Sequence, residues 1–272
     1  MGRKKKKERT PVVFPQVQVT IESIDLDANG IGHVDGKVHF IDGAITGETV
    51  VAEITRVKPS YSKGRTLQVL NTVSTRTTPK CPHYGVCGGC AMQHIEANAQ
   101  VAIKNRALED LLERIGRQKP EQMMPPIYGS FWGYRHRARL STRFVIKKDR
   151  FFVGFHEKSS SYVADMQECH VLPKHVSNMI VPLGNMLVTL SIFMRVPQIE
   201  LAVGDGVTAM VLRHLEPLSD SDLDTLRTFG KEWGVDWWLQ PGGPATAHRL
   251  EADKPVDLTY RIPSFGIRMR FR

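Results

Sequence analysis

No run of about 18 uncharged apolar residues occurs in the 272-residue sequence, which argues against a membrane-spanning helix. The basic start, Met1 to Arg9, is followed by no apolar stretch, so it does not read as a secretory signal. The expectation is a cytoplasmic protein with reduced thiols, and neither a membrane nor DNA as partner. There is no internal repeat, and no low-complexity segment beyond that start. Cysteine is scarce: Cys81, Cys87, Cys90 and Cys169 are all the chain has. None follows Cys169, so any role that needs a later thiol has no candidate.

The charge is uneven. Lysine and arginine number 37 against 28 acidic residues, a net charge of +9. Residues 1–9 hold six of the bases and one acid, so +5 sits there and +4 in the rest. Residues 1–11 are expected to be a disordered basic tail, adding salt-sensitive affinity for nucleic acid or serving only to solubilise.

The fold class expected is α+β. Residues 12–70 alternate apolar and polar positions at Val17, Val19 and Ile21. Strand candidates at Lys37–Ile41, Thr49–Val57 and Leu67–Leu70 follow, with Asn29-Gly30, Asp35-Gly36 and Asp42-Gly43 as turn signals. That pattern predicts a small β-barrel, OB-like, which either binds RNA or is purely structural. A Thr/Pro-rich linker spans 71–80. Residues 81–262 read as a mixed α/β central domain, and 263–272 as the start of another. Within the central domain Gln93–Ile115 is predicted helical, with Leu108, Leu111, Leu112 and Ile115 forming one apolar stripe. Ser219, followed by Asp220 and Asp222, marks the start of a helix over 219–233.

The cysteines carry the chemistry. Five residues separate Cys81 from Cys87, and Gly88-Gly89 separates Cys87 from Cys90. The glycines allow a tight turn and let backbone N–H groups approach sulfur. Cys169, with 78 residues between it and Cys90, is the thiol left to complete a set of four, and is expected on an exposed loop. Four thiolates suit a [4Fe–4S] cluster or a structural Zn²⁺. Zinc sites usually carry two closely spaced cysteine pairs, whereas here there is one, so the spacing leans to the larger group.

The run Tyr134-Arg-His-Arg-Ala-Arg-Leu-Ser-Thr-Arg143 has period two. As a strand it would place Arg135, Arg137, Arg139 and Arg143 on one face as a rail for phosphates, or as a solvated face paired with acids. Phe131, Trp132 and Tyr134 beside it could stack on unpaired bases.

Through Cys81-x5-Cys87-Gly-Gly-Cys90-x2-Gln93, Tyr134-Arg-x-Arg-Ala-Arg139 and Cys169, with a β-barrel ahead of them, the sequence resembles the bacterial RNA uracil-C5-methyltransferases. The resemblance implies a TRAM barrel and a central domain whose Cys81, Cys87, Cys90 and Cys169 hold a [4Fe–4S] cluster. It also implies S-adenosyl-L-methionine as methyl donor and 23S rRNA as substrate. In such enzymes a cysteine thiolate adds to uracil C6, C5 takes the methyl group and a base removes the C5 proton. Residues 200–272 hold no strand, acidic glycine-rich loop and helix, and a cluster would claim every cysteine. The expectation is therefore a truncated chain, inactive alone, with the Rossmann-like methyltransferase domain absent and a C-terminal half as a missing partner. The alternative is a non-catalytic RNA-binding protein with a structural four-cysteine metal site.

Overall fold

The computed structural model describes residues 14–252 and 258–270, so the basic tail predicted over 1–11 lies outside the described residues. The chain forms two compact units, one of residues up to 79 with 91–127, the other of 80–90 with 128 onward.

In the first unit, β-branched residues alternate with polar ones and the chain forms β1 (Gln16–Thr20), β2 (Ser23–Ile24), β3 (Asn29–Val34), β4 (Lys37–Asp42), β5 (Thr49–Val57) and β6 (Tyr61–Asn71). They make one six-stranded sheet in the order β1-β5-β6-β4-β3-β2, in which the β4–β6 pair is parallel. The sheet curls around Val19, Ile21, Ile41, Val50, Ala52 and Ile54. Register shifts between β5 and β6 mark bulges that bend the long strands. The curl brings β3 so close to β1 that a Cβ at Gly32 would lie 2.3 Å from the Thr20 carbonyl oxygen.

Asp35-Gly36 makes the expected turn, both residues having positive φ between β3 and β4. Asn29-Gly30 does not. It opens β3, and the reversal comes earlier, at Asp25 to Ala28. Gly30 is needed for packing: a Cβ there would sit 2.9 Å from the Ile21 methyl and 3.0 Å from the Ala44 carbonyl oxygen.

The stretch after β6 is tied down. Thr77 N–H donates to the His94 carbonyl and Glu96 N–H to that of Thr75. Arg76 reaches the fully buried Glu48, Nε to Oε1 at 2.6 Å and Nη2 to Oε2 at 2.6 Å. Helix α1 (Ala97–Arg114) follows, with the Glu96 side chain accepting from Ala99 N–H. Its predicted apolar stripe lies along one face, yet none of its residues is buried among the described residues, and Ile115 just beyond is 77% exposed.

The second unit is built from β7 (Arg137–Val145), β8 (Arg150–Gly154), α2 (Lys174–Leu187), β9 (Gln198–Val203), β10 (Thr208–Arg213), α3 (Asp220–Trp233), β11 (Val235–Gln240) and β12 (His248–Arg249). The sheet order is β12-β11-β10-β9-β7-β8. Only β10 and β11 run parallel, as the α3 crossover between them requires. A hairpin of β13 (Thr259–Ile262) and β14 (Ile267–Arg270) closes the described chain.

Helices α2 and α3 cover one face of that sheet. Val176, Met179, Ile180, Leu183 and Leu187 of α2 pack with Leu140, Ile199, Leu201, Met210, Leu212 and Trp237 in one core. Gly184 lets α2 touch β8, since a Cβ there would stand 2.8 Å from the Phe151 carbonyl oxygen. Ser219 and Asp222 form a reciprocal capping box at the start of α3, and Gly234, with φ of 67°, ends it. Among the described residues no helix is long and apolar enough to cross a membrane.

Candidate cysteine centre and arginine face

The second unit gathers Cys81, Cys87, Cys90 and Cys169. The 80–90 segment is a series of tight turns, in which Tyr84 N–H bonds the Cys81 carbonyl and Cys87 N–H that of His83. Gly85, with φ of 86°, takes the left-handed turn between them. The segment is stitched to the chain after β8: Gly88 N–H donates to the His156 carbonyl at 2.9 Å, and Lys158 N–H to that of Val86 at 2.7 Å. On the other side, Gly133 and Arg135 N–H donate to the carbonyls of His170 and Val171, just after Cys169.

Cys169 was expected on an exposed loop. It is on a loop but 5% exposed, because its N–H donates to the buried Ser177 hydroxyl at 2.8 Å and it joins the core under α2. Cys81 and Cys87 are buried and Cys90 is half-buried.

Burial pushes the thiols of Cys81, Cys87 and Cys169 above the ordinary cysteine range. Backbone N–H groups work against it: that of His83 toward Cys81, Gly89 toward Cys87, and Leu172 and Val171 toward Cys169. The Gly89 N–H lies 3.4 Å from the Cys87 sulfur. A Cβ at Gly89 would press on the Phe155 ring at 3.3 Å and on that sulfur at 3.4 Å. Charge on Cys90 raises Cys81, Cys87 and Cys169; charge on Cys87 also raises Cys81, and charge on Cys81 raises Cys169, so the four thiols are electrostatically linked. A dry cage with N–H donors aimed at sulfur suits thiolates whose charge a metal centre offsets. Among the described residues no three His, Cys, Asp or Glu side chains are arranged to hold a single metal ion.

The arginines divide. Arg137, Arg139 and Arg143 lie on the exposed face of β7, while Ala138, Leu140 and Thr142 are buried. Arg135 lies before the strand, and its guanidinium sits over the Phe155 ring at 4.8 Å, where its charge favours the Cys87 thiolate. Arg139 is paired with Glu200 at 3.1 Å. Of the aromatic residues, Phe131 stacks on Tyr128, and Trp132 lies edge-on to His170 with Lys80 over its ring. Tyr134 stays 58% exposed.

Residues 13–67 match the TRAM domain family. A Bordetella avium protein named "23S rRNA (uracil(1939)-C(5))-methyltransferase RlmD" is 55% identical over 93% of this chain and 53% of its own length. Proteins of the same name from Chromobacterium violaceum and Polaromonas sp. are 49% and 50% identical, over 96% and 97% of the chain and 52% and 55% of their own length. The chain is thus a relative of RNA uracil-C5-methyltransferases, and it spans about half the length of these relatives.

The crystal structure of Pyrococcus abyssi tRNA (uracil-54, C5)-methyltransferase, in complex with S-adenosyl-L-homocysteine, matches with a TM-score of 0.59 at 16% identity, over 93% of this chain and 58% of that one. That likeness is one of fold, and it corrects the fold class expected above. A chain set apart by an absent methyltransferase domain was the reading; instead 93% of the chain follows the fold of a methyltransferase. The search for a glycine-rich loop between strand and helix tested one local motif, whereas the likeness is carried by whole elements. The expectations of a missing C-terminal half, an absent nucleophile and an absent methyl-donor site find no support in these comparisons.

Proposed function

We propose that the chain serves S-adenosyl-L-methionine-dependent C5 methylation of a uracil in 23S rRNA. The observation that carries this is identity of about half over more than nine-tenths of the chain to proteins named for that activity. The TRAM barrel and the exposed arginines of β7 would grip RNA by its phosphates, each guanidinium forking onto phosphate oxygens. Deleting the gene is expected to remove one 5-methyluridine from 23S rRNA, read by mass spectrometry of the digested RNA, and re-expression to restore it. Unchanged 5-methyluridine in the deletion strain overturns the reading.

In the same reading, Cys81, Cys87, Cys90 and Cys169 hold a [4Fe–4S] cluster. Its support is the shared electrostatics of the four thiols and the N–H donors around them. A single tetrahedral zinc would draw its sulfurs to about 3.8 Å from one another, from a Zn–S length of about 2.3 Å. A cubane held by the same four thiolates spaces them further apart, which suits the five-residue gap between Cys81 and Cys87. The cluster would join two distant segments and bring charge near the RNA-facing surface. Protein purified without oxygen is expected to absorb broadly near ~400 nm and to hold about four irons per chain. Stoichiometric zinc without iron sinks the assignment.

A further inference from the structure

The helix-free face of the second unit's sheet is hollow, with a cavity of about 710 Å³. The strand registers explain it. Side by side across β7, β9, β10 and β11, one row reads Arg137, Ala202, Ala209, Asp236, and the next reads Arg139, Glu200, Val211, Trp238. Two adjacent alanines set the floor low, with a cation at one rim and an indole at the other.

The indole is held in place. Trp238 Nε1 donates to Asp236 Oδ2 at 2.9 Å, and Asp236 is itself gripped by Arg249 at 2.7 Å, that pair being largely buried. A fixed aromatic ring beside an open apolar floor is a stacking platform. Tyr134 and Tyr260 add aromatic walls.

Glu200 supplies direction. Its Oε1 accepts from three donors, Arg139 Nη2 at 3.1 Å, Arg139 Nε at 3.2 Å and Gln198 Nε2 at 2.9 Å. Its Oε2 has no partner among the described residues, in a side chain that lines the cavity. At the rim, Arg137 has no ion pair among the described residues and is exposed.

We propose that this hollow binds one unpaired RNA nucleotide whose base carries an exocyclic amino group. The base stacks on Trp238, its amino group donates to Glu200 Oε2, and its phosphate lies at Arg137. A carboxylate accepts from an amino group. Against uracil it would meet two carbonyl oxygens flanking a single N–H, which disfavours that base. The hollow is therefore a recognition subsite for a neighbour of the modified uracil. The inference rests on the RNA reading above.

The test uses the full chain and fluorescein-labelled twelve-nucleotide oligomers of cytidine, adenosine and uridine, read by anisotropy over a salt series. Cytidine and adenosine oligomers are expected to bind about tenfold more tightly than uridine. Trp238→Leu should weaken cytidine binding about tenfold, and Trp238→Phe should keep most of it. Glu200→Gln removes a negative charge and so raises overall affinity, but it should erase the base preference. Arg137→Ala should lower the salt slope by about 1. Equal binding of the three oligomers, or Trp238→Leu and Glu200→Gln proteins that bind as the parent does, overturns the subsite while RNA binding stands. That is also the result if the hollow receives a protein segment instead. Failure to bind any RNA, the 23S transcript included, overturns the RNA reading itself.

Discussion

The Arg135 guanidinium lies over the Phe155 ring at 4.8 Å, on the side of the molecule that holds Cys87. The first arginine of a seemingly uniform run is thereby taken out of the strand face and given to the cysteines. Phe155 also backs Gly89, so one ring touches both the cation and the turn between Cys87 and Cys90.

Two arginine substitutions should then behave differently. Arg143→Ala is expected to lower the salt slope of RNA binding by about 1 and to leave iron content unchanged. Arg135→Ala is expected to lose iron faster in air, followed by absorption near ~400 nm, with a smaller change in slope. Equal effects of the two on both readouts would mean that the arginines act as one rail.

Gly89→Ala tests the cradle. The added methyl makes the Phe155 ring, at 3.3 Å, give by a few tenths of an ångström and fills the space against the Cys87 sulfur at 3.4 Å. Iron per chain after anaerobic purification is expected to fall by more than half, with little loss of folded protein. Full iron content would show that the turn has slack.

Glu48 and Arg76 hold the end of the barrel. Glu48 is completely buried, accepts from Ile45 N–H and takes two bonds from Arg76. Arg76→Ala leaves that carboxylate without its cation and is expected to cost about 3–5 kcal/mol. Urea unfolding followed by circular dichroism measures it, and a loss under about 1 kcal/mol would show that water replaces the arginine.

Asp222 makes the second unit acid-sensitive. Burial would raise its carboxyl, but hydrogen bonds from Ser191 and Ser219 more than offset this and hold it below its ordinary value of 3.8. The native state therefore binds this proton less readily than the unfolded chain. Its contribution is complete above the ordinary value and fades as pH falls through the depressed one. Asp222→Asn is expected to lose about 2 kcal/mol at neutral pH and to show a flatter stability curve below pH ~4. A parallel curve would exclude Asp222 as the titrating group.

Much of this was legible in the residues. The close spacing of Cys81, Cys87 and Cys90 against a lone Cys169 suggested that the four belong together, because the chain has no other thiol, and all four fall in the second unit. The box at Ser219 and Asp222 is a local motif and reads as one. What escaped depends on contacts distant in the chain. Cys169 is buried by Ser177 and α2, and its own neighbours carry no sign of that. Period two assigned Arg135 to the rail, but the strand starts at Arg137 and alternation means nothing before it. Helical periodicity found the apolar stripe of α1 without revealing whether anything covers it. The hollow beside Trp238 needs the cross-strand registers, which place Ala202 next to Ala209. The likeness in fold to a methyltransferase structure escaped because it was sought as a single loop.

The interleaving of the two units has a consequence for synthesis. Residues 80–90 belong with a body whose other residues begin at 128, and Cys169 follows Cys90 by 79 positions. At ribosomal rates of about 5–20 residues per second, three thiols leave the ribosome roughly 4 to 16 s before the fourth. For most of that interval the Cys81–Cys90 turns have no Phe155 to pack against, and Ser177, which holds Cys169, is made later still. On the proposed cluster reading, the nascent chain offers an open three-thiol loop to solvent, to oxidants and to whatever delivers metal, until Cys169 arrives to complete the set.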